Sequence, residues 1–170
     1  MISQKGDWNM SRMLVTYFSA EGTTAKVAAK LAFKLAADVF EIKPEKPYTK
    51  ADLRWTNPLA RCNKEKFGNK EVPVEGKVDQ FDQYDTVLIG FPIWYGGAPN
   101  VVNTFVSGYD WNGKKIILFA TSGGSGIGKT AEKLKPYLNG KGEIAGARLI
   151  KGADDLEKFV QEVKSPKESE

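Results

Sequence analysis

The segment from Met13 to Thr24 constrains the fold of this chain more than any other. An apolar, β-prone stretch ends at Phe18, and the loop that follows consists mostly of glycine and small hydroxyl residues. From Thr24 to Leu35 apolar residues recur at helical spacing, with lysines on another face. The segment therefore predicts a strand, a tight loop and an amphipathic helix in direct succession.

The loop of residues 19–24 has the composition of a phosphate site. Amide N–H groups at a helix N-terminus carry partial positive charge, glycine lets a ligand approach the backbone, and Ser and Thr hydroxyls donate further hydrogen bonds. Threonine is also an ordinary N-cap residue. The loop by itself therefore fits a monophosphate site or a capped turn equally well.

Strands and helices alternate along the rest of the chain. The predicted strands are residues 13–18, 39–42, 86–91, 115–120 and 144–150, and the predicted helices are residues 24–35, 100–107, 127–138 and 154–163. The first, third and fourth strands are almost continuously apolar, which is typical of a parallel sheet covered on both faces. The pattern predicts an α/β fold with a doubly wound, five-stranded parallel sheet. The irregular segment 43–83 has room for one more helix, at residues 50–54 or 59–66.

Composition limits the domain organisation and the chemistry. We expect one domain over residues 13–163, a disordered extension over residues 1–12 and a charged tail over residues 164–170. The single cysteine, Cys62, rules out an intramolecular disulfide and favours the cytoplasm. No stretch approaches the roughly 20 apolar residues of a membrane span. Without histidine the chain has no Ser-His or Cys-His pair and no imidazole metal site, so we expect a bound cofactor to supply any chemistry.

The formal net charge is +4, and lysine and arginine are dense through residues 43–77. This segment lacks a recognisable nucleic-acid-binding module, so we expect no nucleic-acid partner. It predicts a solvated basic surface suited to an acidic partner protein.

Three loops follow the apolar strands, and ligands of such sheets bind beyond the carboxyl ends of the strands. They are residues 19–24, 92–99 and 121–126. In the second loop Trp94 and Tyr95 precede glycines, which suits the approach of a flat ligand, although two such aromatics could also belong to the core. The third loop offers backbone donors and small hydroxyls to a polar ring edge or a sugar phosphate.

Residues 123–130 match the P-loop pattern of nucleoside triphosphatases, with Lys129 and Thr130 at its end. Few residues follow this motif, and the last strand runs into Lys151 rather than into a magnesium-binding aspartate. A P-loop would also leave the other two loops unexplained. A nucleotide-hydrolysing protein is therefore the remote alternative.

The three loops in this order, beginning with Tyr-Phe-Ser-x-x-Gly-Thr-Thr at residues 17–24, resemble those of the short-chain bacterial flavodoxins over residues 13–163. The resemblance implies a strand order of 2-1-3-4-5, FMN as the cofactor and low-potential electron transfer as the function. It also implies that the FMN-binding residues are Ser19, Gly22, Thr23, Thr24, Pro92, Ile93, Trp94, Tyr95, Gly96, Thr121, Ser122, Gly123, Gly124 and Gly126.

The same resemblance implies a monomer that exchanges electrons with a reductase and an acceptor protein. The chain departs from the family by having Glu21 where flavodoxins commonly have Thr or Ser, and by being basic where they are acidic. Trp55 could cover the flavin or pack into the protein. The main alternative is a flavoenzyme of the same fold, an NAD(P)H-dependent quinone or FMN reductase. The absence of histidine and of a second nucleotide motif favours a carrier over a turnover enzyme.

Overall fold

The computed structural model describes residues 12–68, 70–122 and 126–164. The strands are β1 (Met13–Tyr17), β2 (Asp38–Glu41), β3 (Lys43–Pro44), β4 (Val74–Glu75), β5 (Thr86–Pro92), β6 (Lys115–Thr121) and β7 (Glu143–Leu149). The α-helices are α1 (Thr23–Leu35), α2 (Arg61–Phe67), α3 (Asn100–Ser107), α4 (Thr130–Leu134) and α5 (Ala153–Lys164), and two 3-10 helices span Phe81–Gln83 and Lys135–Leu138.

Five strands form one parallel sheet in the order β2-β1-β5-β6-β7. Numbered within the sheet, this order is 2-1-3-4-5, which confirms the predicted fold class and topology. The register places Val15 of β1 beside Leu88 of β5, and Leu88 beside Ile117 of β6. Because the three central strands run in the same direction, the loops after β1, β5 and β6 meet at one edge of the sheet.

Helices cover both faces of the sheet, as the apolar runs predict. On one face the core joins the sheet to α3, with Leu14, Val87, Ile89, Ile116, Leu118, Val101, Val102 and Phe105 among its buried side chains. On the other face the core joins the sheet to α1 and α5, and it includes Val15, Leu88, Phe119, Ala28, Leu31, Leu156, Phe159 and Val160. Alternate residues of one strand therefore enter opposite cores, which holds β1, β5 and β6 rigidly beneath the loops.

The helix predicted for residues 127–138 is wrong in length. The α-helix spans only Thr130–Leu134, and a 3-10 helix continues from Lys135 to Leu138. Pro136 explains the break, because proline has no N–H to donate within an α-helix and its ring crowds the preceding turn.

The irregular segment 43–83 contains more structure than its composition indicates. Of the two helix positions considered, residues 59–66 are confirmed as α2, whereas residues 50–54 form turns without a helix. The hairpin of β3 and β4, with Lys43 paired to Glu75, was not predicted because strands of two residues carry no detectable periodicity.

Among the described residues, none of the helices is long and apolar enough to cross a membrane. The predicted N-terminal extension, apart from Arg12, and the tail beyond Lys164 lie outside the described residues, as do Gly123 and Gly124 of the third loop.

Candidate functional site

A cavity of about 740 Å³ opens at the carboxyl ends of the central strands. All three loops contribute to it, so residues distant in sequence share one site. The residues named from the sequence that line it are Ser19, Thr23, Thr24, Pro92, Ile93, Trp94, Thr121 and Ser122. Five further residues line the cavity that were not among the FMN-binding residues expected from the sequence: Ala20, Glu21, Trp55, Ile150 and Lys151.

The first loop combines helix capping with free hydrogen-bond donors. Gly22 is the N-cap of α1 with φ of 97°, a left-handed conformation that favours glycine. The Ser19 Oγ accepts hydrogen bonds from the N–H groups of Gly22 and Ala25, each at 3.1 Å. This hydroxyl therefore caps the helix and still has its own proton to donate.

Other N–H groups beside the cavity remain unsatisfied. Those of Ala20, Glu21, Thr23 and Thr24 have no acceptor within the described part of the chain. Four donors at the positive end of a 13-residue helix form the arrangement that binds an anion. Both interpretations of the loop thus have a structural basis, because Ser19 does the capping and its neighbours keep their donors.

A buried hydrogen bond joins the first loop to the end of β6. The Oγ1 atoms of Thr24 and Thr121 lie 2.7 Å apart, and both residues are buried. The contact holds the start of α1 against the third loop, so the two polar sides of the cavity keep a fixed separation.

Two tryptophans contribute aromatic surface to the cavity. Trp94 is half-buried, and its ring meets Phe18 and Tyr48 edge to face, with centroid separations of 5.7 and 5.5 Å. Trp55 lines the same cavity with 71% of its surface exposed, so it is not packed into the core. One indole is therefore held by the core, and the other lies at the open side.

Tyr95 does not line the cavity although it follows Trp94 directly. Its φ of 56° turns the side chain toward α2, where its hydroxyl donates to the Asn63 side chain and contacts the Cys62 Sγ at 3.6 Å. Burial, followed by the contact with Cys62, raises the pKa of Tyr95 to about 12, so the phenol stays protonated at neutral pH. Of the other named residues, Gly22, Gly96 and Gly126 also do not line the cavity.

Lys151 and Ile150 extend the cavity beyond the three loops that the sequence highlighted. They follow β7, whose carboxyl end lies at the same edge of the sheet, and Lys151 is exposed. The rule that ligands bind at the carboxyl ends of the strands could have included them. Glu21 carries no comparable signal, because acidic residues are unexpected beside an anion site.

The described part of the P-loop-like segment does not have the geometry of a phosphate loop. Thr130 is buried, and its Oγ1 has no hydrogen-bond partner within the described residues, whereas a P-loop hydroxyl must face a bound magnesium ion. Lys129 is exposed, and the helix that follows it has only five residues.

Arg61 connects several residues of the segment beside the cavity, although Arg61 does not line the cavity itself. Its guanidinium lies 4.0 Å from the ring centroid of Tyr48 and donates to Glu65 and to the carbonyl oxygen of Lys46, the latter at 2.7 Å. The Tyr48 hydroxyl donates to the same Glu65 carboxylate, and burial together with this contact raises the pKa of Tyr48. Arg61 thereby fixes the ring that supports Trp94.

Replacing Arg61 with methionine is expected to lower the free energy of unfolding by about 2 kcal/mol, because the partly buried Glu65 loses its charged partner. Urea unfolding followed by circular dichroism measures this change. Arg54→Met is the matched control, since Arg54 is exposed and has no hydrogen-bonding side-chain contact within the described chain; it should change stability by less than about 0.5 kcal/mol. Equal effects of the two substitutions would contradict the role given to Arg61.

Comparison with known structures places this site in a recognised fold. A protein of Bacteroides eggerthii that is described as a flavoprotein has 38% sequence identity to this chain and a TM-score of 0.83, with 91% of this chain and 98% of that chain covered. A flavoprotein of Lactobacillus acidophilus solved in complex with FMN has 24% identity and a TM-score of 0.64, over 82% of this chain and 93% of the other. Oxidised flavodoxin 1 of Bacillus cereus, at 17% identity, has a TM-score of 0.54 over 92% of this chain and all of its own, and at these identities the last two show the fold alone.

No curated protein sequence matches the chain at a significant level. The sequence profile of the flavodoxin family, in contrast, matches residues 12–163, which include the whole sheet and all the helices described above except the last residue of α5. The chain is a member of the flavodoxin family.

Proposed function

We propose that the protein binds FMN in the cavity at the carboxyl edge of the sheet and carries electrons at low potential between partner proteins. The observation that carries the proposal is the row of N–H groups at Ala20, Glu21, Thr23 and Thr24, which find no acceptor among the described residues, in a cavity that two tryptophans also line. A phosphate and a flat aromatic ring on one ligand match these two ends. The FMN bound to the Lactobacillus acidophilus relative supports the same cofactor.

The first loop would hold the phosphate. Its free N–H groups and the Ser19 hydroxyl would donate to phosphate oxygens, and the dipole of α1 favours the negative charge. Glu21 would contribute only its N–H, because its side chain is exposed and a carboxylate repels the phosphate. The ammonium of Lys151, which lines the same cavity, would offset that repulsion.

The tryptophans and the second and third loops would hold the ring system. FMN supplies the redox chemistry, because its ring accepts and releases electrons. Trp94 would contact one side of the ring and exclude water, and Trp55 would cover it from the open side. Thr121 and Ser122 lie where hydroxyl or backbone groups could meet the polar edge of the ring.

The purified protein is expected to be yellow and to release FMN rather than FAD when heated, because the free N–H groups found among the described residues of the cavity lie together at the start of α1 and suit a single terminal phosphate. Chromatography of the released cofactor against FMN and FAD standards identifies it. A colourless protein that does not take up added FMN would overturn the proposal.

We also propose a monomer located in the cytoplasm, with a reductase and an acceptor protein as its partners. The free, buried thiol of Cys62 supports a reducing compartment. The exposed Trp55 at the open side of the cavity supports electron exchange with another protein, because a bound ring would be close to the surface there.

A carrier is expected to oxidise NADPH only negligibly by itself, with or without an added quinone, and to become reduced quickly once a flavoprotein reductase is present. Absorbance at the NADPH band follows both reactions. Sustained turnover by the isolated protein at more than about one per second, within the ordinary range of enzymes, would instead support the flavoenzyme alternative.

A further inference from the structure

A group of exposed and partly exposed side chains lies beside the open side of the cavity. It consists of Trp55, Leu59, Lys66, Phe67, Tyr95 and Lys133, and we call it the docking face. Phe67 and Leu59 are 78% and 73% exposed, an unusual exposure for large apolar residues in one region. Trp55 belongs both to this face and to the lining of the cavity.

Hydrogen bonds and ring contacts connect Trp55, Tyr95 and Phe67 of the docking face. The Asn63 side chain donates to the carbonyl oxygen of Trp55 at 2.7 Å and accepts from the Tyr95 hydroxyl. The Tyr95 ring lies 5.5 Å from the Phe67 ring, centroid to centroid. These three aromatic residues are therefore held on one framework rather than on independent loops.

Two lysines next to these rings carry unpaired charges. The Lys66 Nζ donates to the carbonyl oxygen of Ala98 at 3.4 Å, and the Lys133 Nζ donates to that of Gly96 at 3.2 Å. Neither lysine has a carboxylate within ion-pair distance among the described residues. Burial, and then the charge of Lys133, lowers the pKa of Lys66, which agrees with two like charges held near one another.

The surrounding segment is also positive after its internal pairing is counted. Between Lys46 and Lys70 the sequence has only two carboxylates, Asp52 and Glu65. Both lie within ion-pair distance of Arg61, at 3.8 and 2.5 Å. Arg61 thus pairs with both carboxylates of this segment. The positive charges of its lysines therefore remain available to an external partner.

We propose that the docking face binds an acidic region of the protein that exchanges electrons with the cavity, an inference that rests on the proposed function. Carboxylates of the partner would relieve the repulsion between Lys66 and Lys133, and its apolar groups would cover Phe67 and Leu59. A free inorganic anion needs no such apolar contact. A second copy of this chain would bring like charges together across a two-fold axis.

The test uses cytochrome c in two forms, the native basic protein and a succinylated form whose lysines have become carboxylates. Addition of each form to the ¹⁵N-labelled protein, as purified, is followed by NMR at low ionic strength. We expect the succinylated form to shift amide signals of residues 55–67, 94–97 and 133, with shifts that disappear in salt, and the native form to leave them unchanged. Shifts centred elsewhere, or equal shifts with both forms, would overturn the proposal.

Charge-matched variants separate this face from the net charge. The double substitution Lys66→Gln with Lys133→Gln should weaken binding of the succinylated form about fivefold or more. Lys30→Gln with Lys158→Gln removes the same charge from exposed positions on α1 and α5, and should weaken it by less than about twofold. Equal losses would show that only net charge matters and would overturn the proposal.

The apolar part is tested with Phe67→Ala against Phe33→Ala, since Phe33 is 88% exposed on α1, outside the docking face. Only Phe67→Ala should weaken binding. Stronger shifts of the same signals by a short DNA oligonucleotide would overturn the assignment to a protein partner. The binding measurements do not require flavin, whereas the visible spectrum of each sample reports FMN, so failure of docking and failure of FMN binding are distinguishable.

Discussion

Gly90→Ala is expected to lower the free energy of unfolding by about 3 kcal/mol, at the upper end of the usual range for overpacking a core. An added Cβ at this position of β5 would lie 2.1 Å from the ring Cζ of Phe119 in the neighbouring strand. The ring has no room to move, because Phe119 is fully buried and packs near Phe159 of α5. Such a loss corresponds to a decrease in melting temperature of roughly 6–12 °C for a chain of this size.

Gly146→Ala is the matched control for this prediction. Gly146 lies in β7, and a Cβ there would meet only Ile117, at 4.0 Å. We expect this substitution to be neutral or slightly stabilising, by up to about 1 kcal/mol, because alanine restricts the unfolded chain. Thermal unfolding of the two variants with the parent decides the matter. Similar stabilities for Gly90→Ala and Gly146→Ala would contradict the close packing of Phe119 across β5.

Trp94→Ala is expected to weaken FMN binding by about 1–3 kcal/mol, the range for loss of one aromatic stacking partner. This range corresponds to a rise in Kd of roughly 5- to 150-fold. Titration of the apoprotein with FMN, followed by quenching of flavin fluorescence, measures the change. Trp94 also packs on Phe18 and Tyr48, so we expect a smaller loss of stability in the same variant.

Two further variants distinguish a binding role of Trp94 from a purely structural one. Trp94→Phe keeps an aromatic ring at the cavity and should retain most of the affinity. Trp55→Ala should weaken FMN binding without a change in stability, because Trp55 is exposed and makes no ring contact within the described residues. If Trp94→Ala leaves both Kd and the flavin spectrum unchanged, Trp94 serves only the core.

Local sequence patterns were sufficient for the architecture. Apolar runs predicted the buried central strands, and their alternation with helices predicted the parallel sheet, because these patterns arise from burial on two faces. The predictions of secondary structure failed at two places, where a proline interrupts a helical pattern and where the strands are very short. Pro136 ended α4 early, and the two-residue strands β3 and β4 were too short to produce a pattern.

The location of the cavity and the composition of its loops were therefore properties of the sequence by itself, since parallel strands must end at a common edge. Only the tertiary structure decided which neighbouring side chains enter the cavity. Trp94 lines it, whereas the positive φ of Tyr95 turns the next ring toward α2. Only the tertiary structure, likewise, revealed the hydrogen bond between Thr24 and Thr121, which are 97 positions apart in the sequence. Contacts between such distant residues depend on packing, which a local sequence pattern does not record.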